Sequence, residues 1–116
     1  MEKPTTAKEI IMSLKERFRP EKAEPGYESV FHLDISGDNG GKFTVVITDE
    51  TIDVQEGLIG EAKCVVQAKD EVYEDVEWGR TNAQMAFMFG KIKVSDIGEM
   101  LDFIGLFHRC EDYYKA

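Results

Sequence analysis

Two histidines and two cysteines are the side chains best suited to nucleophilic or metal chemistry in this 116-residue sequence. Nucleophilic catalysis needs a serine or cysteine with a base in reach, and a metal site needs clustered ligands at defined spacing. His32 and Asp34 stand two apart, which puts both on one face of a strand, where a carboxylate could orient an imidazole. The simpler reading is a solvated strand face. His108 and Cys110 fall at the end of the last helical pattern, where a histidine cation suits the helix dipole. Cys64 is far from Cys110, and neither belongs to a paired zinc or redox spacing, so two reduced thiols are expected. Gly37, Gly40 and Gly41 precede no helix start and no Lys-Ser/Thr pair, which rules out a phosphate loop. Glu71, Glu74, Asp75 and Glu77 read as a solvated helix face. No catalytic group, metal or cofactor is expected.

The elements that would position these residues follow from period and punctuation. Thr6 and Glu9 form a capping box ahead of Ile10, Ile11, Leu14 and Phe18, a helix that Pro20 ends. Ser29–Ile35 alternates with Phe31, Leu33 and Ile35 on one face. The Ser36–Gly41 loop is a hairpin turn, its Asn-Gly suited to positive φ, and Phe43, Val45 and Ile47 mark the returning strand. Thr51–Gln55 and Glu61–Ala68 complete four strands of a mainly antiparallel sheet. Asp70 caps a helix that stops at Gly79, and Thr81 with Gln84 caps a second, Asn82–Phe89, halted by Gly90. Lys91–Val94 is too short for anything but a strand. Asp96 and Glu99 open a last helix, expected to run to about Arg109.

Composition narrows the function classes. With 14 basic against 23 acidic residues, a net charge of -9 and 42% hydrophobic residues, the chain has material for one core, and a single domain over residues 1–116 is expected. The acidic balance argues against nucleic acid, whose binding rests on neutralising phosphates. No apolar run suits a membrane span, and the start Met1-Glu2-Lys3-Pro4 lacks a signal pattern, so a cytoplasmic protein is expected. Six basic residues lie within the first 24, and the helix Ala7–Arg19, with Leu14, Lys15, Arg17, Phe18 and Arg19, is the element expected to make transient membrane contact.

The excess of apolar surface near the C-terminus carries more information. At 100° per residue, Ile97, Met100, Leu101, Phe103, Ile104, Leu106, Phe107 and the ring of His108 cover an arc of roughly 220°, about twice what a one-sided surface helix needs. Met85, Phe87, Met88 and Phe89 point nearly all round the preceding helix. Such a Met and Phe wall suits a variable ligand, while a dense core or a dimer seam would account for it equally well.

Residues 70–97 resemble the signature of the sterol-carrier-protein-2 family, matching at Asp70, Gly79, Asn82, Ala86, Phe87, Gly90, Lys91, Ile92, Lys93 and Val94, and departing at Ala83 and Ser95. The resemblance implies an α+β fold, a five-stranded sheet with helices packed over it and an apolar tunnel that holds sterol, fatty acid or acyl-CoA without catalysis. On that basis Phe43, Val45 and Ile47 are the candidate floor, with Phe31, Leu33 and Ile35 as the rival face. Met85, Met88, Phe89, Ile92, Met100, Leu101, Ile104 and Phe107 are the candidate walls. A monomer or weak dimer is expected. The resemblance also brings in peroxisomes, but the ending Tyr113-Tyr114-Lys115-Ala116 is no Ser-Lys-Leu-type address. The alternatives are an enzyme using a buried acid (Asp34, Asp53 or Asp102) for proton transfer, and a homodimeric or partner-docking domain.

Overall fold

The computed structural model describes residues 3–114. In chain order the elements are α1 (Ala7–Met12), α2 (Leu14–Arg17), β1 (Glu28–Ser36), β2 (Gly41–Thr48), β3 (Thr51–Glu56), β4 (Cys64–Lys69), α3 (Asp70–Glu77), α4 (Ala83–Met88), β5 (Ile92–Val94), α5 (Ile97–Ile104) and α6 (Cys110–Tyr113). The five strands make one sheet in the order β3-β2-β1-β4-β5. Its β1–β2, β2–β3 and β4–β5 pairs are antiparallel and β1–β4 is parallel, so the sheet is mixed. The α+β class and the five strands agree with the expectation from sequence.

Register decides which residues share a face. Phe31 opposes Val45, Leu33 opposes Phe43 and Ser29 opposes Ile47. Directly opposed residues lie on the same side of a sheet, so the two apolar sets that the sequence offers as rivals form one continuous floor. Parallel pairing carries that floor through Cys64, Val66 and Ala68, and the last pair adds Ile92 and Val94. The helices contribute buried apolar residues to the same core: Ile10 and Ile11 from α1, Tyr73 from α3, Ala86 from α4 and Phe103 from α5. The opposite face, with Val30, His32, Asp34, Val46 and Val65, stays half-exposed. The loop after β3 folds over it, where the buried Thr44 hydroxyl donates to the Gly57 carbonyl at 2.6 Å and accepts from the Ile59 amide at 2.9 Å.

Several local expectations are corrected. The first helix breaks at Ser13, which ends α1 and begins α2. Positive φ in the β1–β2 loop falls on Gly37 (φ 100°), not on Asn39. A side chain at Gly37 would collide with the Asp70 carboxylate, which accepts from the Asn39 amide at 3.0 Å and thereby ties the hairpin to α3. Lys69, not Asp70, is the residue ahead of α3. Asn82 rather than Thr81 caps α4, accepting from the Met85 amide at 3.1 Å. The last helix ends at Ile104, five residues early. Leu106–His108 leaves the helix to pair with the N-terminal segment, the Arg19 amide donating to Leu106 O at 2.7 Å and the His108 amide to Arg17 O at 2.8 Å. Backbone pairing with a distant segment outcompetes continued helix at Gly105, a poor helix former.

Candidate functional site

The candidate wall and floor residues separate into two groups. Phe43, Val45, Ile47, Ile92 and Phe107 are buried, and Met100 is half-buried against the same core. Met85, Met88, Phe89, Leu101 and Ile104 are exposed, with Met88 at 74%, Phe89 at 71% and Leu101 at 62%. These large apolar side chains lie open rather than around a closed passage. Two surface hollows, one lined by Asp34, Ser36, Gln67, Gly90, Lys91 and Lys93, the other by Arg80, Thr81, Asn82, Gln84 and Arg109, are polar, and neither contains a candidate wall residue.

Helix α5 is split along its length. Phe103 turns inward and stacks on Phe31 with ring centroids 4.1 Å apart, and Phe107 meets Phe103 edge-on at 4.8 Å. Leu101 and Ile104 turn outward. At its N-terminus the Asp96 side chain accepts from the Glu99 amide at 3.0 Å, and Ser95 binds Val65 of β4 through both its amide and its hydroxyl. At its C-terminus the Phe18–Phe107 bridge holds it. The helix is fastened at both ends, with an apolar strip free between them. Near it, Tyr27 has the one buried side-chain polar atom without a partner among the described residues, and burial, with Glu99 and Asp102 nearby, pushes that phenol upward despite Ser29. A tyrosine just ahead of a strand gives no sequence signal of this.

The N-terminal helices are anchored by charge instead. Arg17, 2% exposed, donates to Glu77 at 3.1 Å, to Ser13 Oγ at 3.0 Å, to the Ile10 carbonyl at 3.1 Å and to the His108 carbonyl at 3.2 Å. Burial works against its charge, but Glu77 with Cys110 and Tyr73 holds the guanidinium more firmly protonated than in water. Tyr73 hydrogen-bonds Glu77 at 3.3 Å, and burial and Glu77 raise its phenol well above the usual range. Burial pushes the Cys110 thiol to about 11, against the opposing pull of Arg17. Both cysteines are free and buried. Leu14 and Arg17 are buried and Phe18 and Arg19 half-buried, so of the residues expected to meet a membrane from this helix Lys15 alone is fully exposed.

The residues considered for catalysis are not brought together. His32 Nε2 lies 3.0 Å from the Ile59 carbonyl, while Asp34 lines the hollow beside Lys91 and Lys93. His108 is exposed in the break after α5 and Cys110 is buried at the start of α6. Asp53 and Asp102 are exposed and Asp34 is half-buried. Among the described residues no group of His, Cys, Asp and Glu could hold a metal, and no helix is long and apolar enough to cross a membrane.

Comparison with known proteins follows this geometry. A model of the SCP-2 sterol transfer family matches residues 7–108. No curated protein matches by sequence. Among solved structures, the stereoselective inverting sec-alkylsulfatase Pisa1 from Pseudomonas sp. is similar at a TM-score of 0.73 and 16% identity, over 85% of this chain and 16% of that one. The chain thus spans about a sixth of the alkylsulfatase length. Sterol Carrier Protein 2 Like 2 from Aedes aegypti is similar at a TM-score of 0.62 and 17% identity, over 84% of this chain and 89% of that one. The palmitated form of that Aedes protein is similar at 0.59 and 20% identity, over 86% and 94%. At such identities these likenesses speak for the fold.

Proposed function

The chain belongs to the SCP-2 sterol transfer family, and from that membership we propose that it binds and carries a long-chain apolar lipid without catalysing a reaction on it. The observation that carries this reading is the free apolar strip of α5: Leu101 and Ile104 stand exposed beside Phe103 and Met100, which pack on the sheet. The guest lies against this strip, with Met85, Met88 and Phe89 of α4 as the second wall. It reaches the Phe43, Val45 and Ile47 floor only when side chains between α5 and the sheet make room. A long acyl chain is the ligand class, in keeping with the palmitated Aedes relative. Burying a 16-carbon tail contributes roughly 0.8 kcal/mol per methylene, near 12 kcal/mol gross, of which association removes about half. About 6 kcal/mol is left, which puts the affinity on the order of tens of micromolar. Specificity is loose, since an apolar wall separates ligands by only about 1–3 kcal/mol per methylene.

The test is titration with a fluorescent fatty acid. Stoichiometric binding is expected, and Met100→Glu with Ile104→Asp weakens it by about tenfold or more, as a charge placed against the tail would. Unchanged affinity in the folded double variant defeats the wall assignment. Because the fold also makes up about a sixth of an alkylsulfatase chain, presentation of an apolar substrate to a catalytic partner is the second reading. Ligand binding without transfer between vesicles favours it over free carriage.

A further inference from the structure

The exposed apolar side chains of α4 differ from those of α5 in what surrounds them. Residues 78–95 contain no Asp or Glu, the longest acid-free stretch of a chain whose net charge is -9, and they include Arg80, Lys91 and Lys93. The same stretch carries Met85, Phe87, Met88 and Phe89, all exposed. Helix α4 buries only Ala86, a residue small enough to let the helix lie close to β5 while its other side chains turn outward. Gly90, at φ 74°, ends the helix, leaving Met88 and Phe89 at a tip followed at once by Lys91. Since β5 is an edge strand, the tip and the two lysines sit together at one margin of the sheet. Arg80 is already engaged by Asp75 at 2.8 Å, whereas Lys91 and Lys93 form no ion pair among the described residues, although Asp34 lines their hollow. In contrast, α5 and its cap carry Asp96, Glu99 and Asp102 beside the apolar strip.

We propose that the tip of α4, with Met88 and Phe89 as apolar wedges and Lys91 and Lys93 as headgroup contacts, is a docking surface for an anionic lipid bilayer. Two signals are needed for useful interfacial binding, apolar insertion and attraction to anionic headgroups, and this margin of the molecule supplies both. The overall acidity does not forbid it. At ~0.1 M salt charges beyond about 10 Å are screened, so a bilayer at the β5 edge responds to the local lysines more than to distant carboxylates. The tip is also part of the lipid-binding wall of the carrier reading. The docking surface rests on that reading only for its purpose, which is to bring the guest's wall to the membrane.

Co-sedimentation of the full chain with phosphatidylcholine–phosphatidylserine vesicles tests the surface. Binding is expected, weaker with phosphatidylcholine alone and weaker as salt rises. Lys91→Gln with Lys93→Gln lowers partitioning by about fivefold per lysine and flattens the salt dependence. Met88→Ser with Phe89→Ser lowers it by on the order of tenfold or more at either salt. Fatty-acid titration of the lysine variant without vesicles keeps the two readings apart: retained ligand affinity with lost vesicle binding supports docking. Wild-type protein that ignores these vesicles, or variants that bind them unchanged, overturns docking and leaves the carrier reading intact. Concentration-dependent dimerisation abolished by Met88→Ser with Phe89→Ser also overturns it, since the tip is then a seam between copies.

Discussion

The N-terminal helices and the C-terminal pair α4 and α5 begin from the same kind of sequence and end in opposite environments. Both have large apolar residues at helical spacing, yet Ile10 and Ile11 are fully buried while Met88, Phe89 and Leu101 stand mostly in solvent. The first pair also keeps a cation inside, since Arg17 is enclosed by Glu77, Ser13 and two backbone carbonyls. Thus the N-terminal helices bury Leu14 and Arg17, two of the residues that looked suited to a membrane, in the folded core. The C-terminal helices hold apolar surface available for something outside the chain. Under the carrier reading we propose, the exposed apolar row on a helix fastened at both ends meets the guest, whereas the same kind of row over the sheet is core.

Three changes break or sharpen this contrast. Glu77→Ala strands the buried guanidinium and is expected to cost about 3–5 kcal/mol in urea unfolding, with Glu77→Gln costing less because it keeps a hydrogen bond to Arg17. A loss below about 1 kcal/mol would mean the N-terminal anchor is apolar packing alone. Next, Ile10→Ala is expected to lose about 2–5 kcal/mol, against about 0.5 kcal/mol or less for Leu101→Ala. Equal losses would show α5 packed rather than open. The smallest effect concerns pH. The Cys110 thiol is pushed up to about 11 from 9.0 by burial, so its protonated form is favoured in the folded state. That stability is present below pH 9 and lost as pH rises through 11, about 2–3 kcal/mol in all. Thermal melts of Cys110→Ala across that window are expected to fall less steeply than those of the wild type.

Much of the fold was legible because its signals are local. The Thr6–Glu9 capping box is present as read, the Glu9 amide donating to Thr6 Oγ1 at 3.2 Å. Alternation located β1, β2 and β5, turn signals placed β3, β4 begins at Cys64 rather than at Glu61, and Gly79 and Gly90 stop their helices with φ of 73° and 74°. Some errors are local, as at the Ser13 break and the Asn82 cap, and others involve a distant partner. Helix α5 stops short because Leu106–His108 pairs with Arg17–Arg19, and at Gly37 a side chain would collide with the carboxylate of distant Asp70.

The candidate site divides in the same way. The sequence by itself determined that the chain holds more apolar helical surface than one sheet face can cover, and which residues carry it, since period and residue type are properties of neighbours along the chain. Only the tertiary structure decided that Phe31, Leu33 and Ile35 share one floor with Phe43, Val45 and Ile47. It alone turned Leu14 and Arg17 inward, and it alone left the strip of α5 and the tip of α4 exposed. Helical and strand periods state which side chains lie together; strand order and long-range pairing settle which of those faces another element reaches.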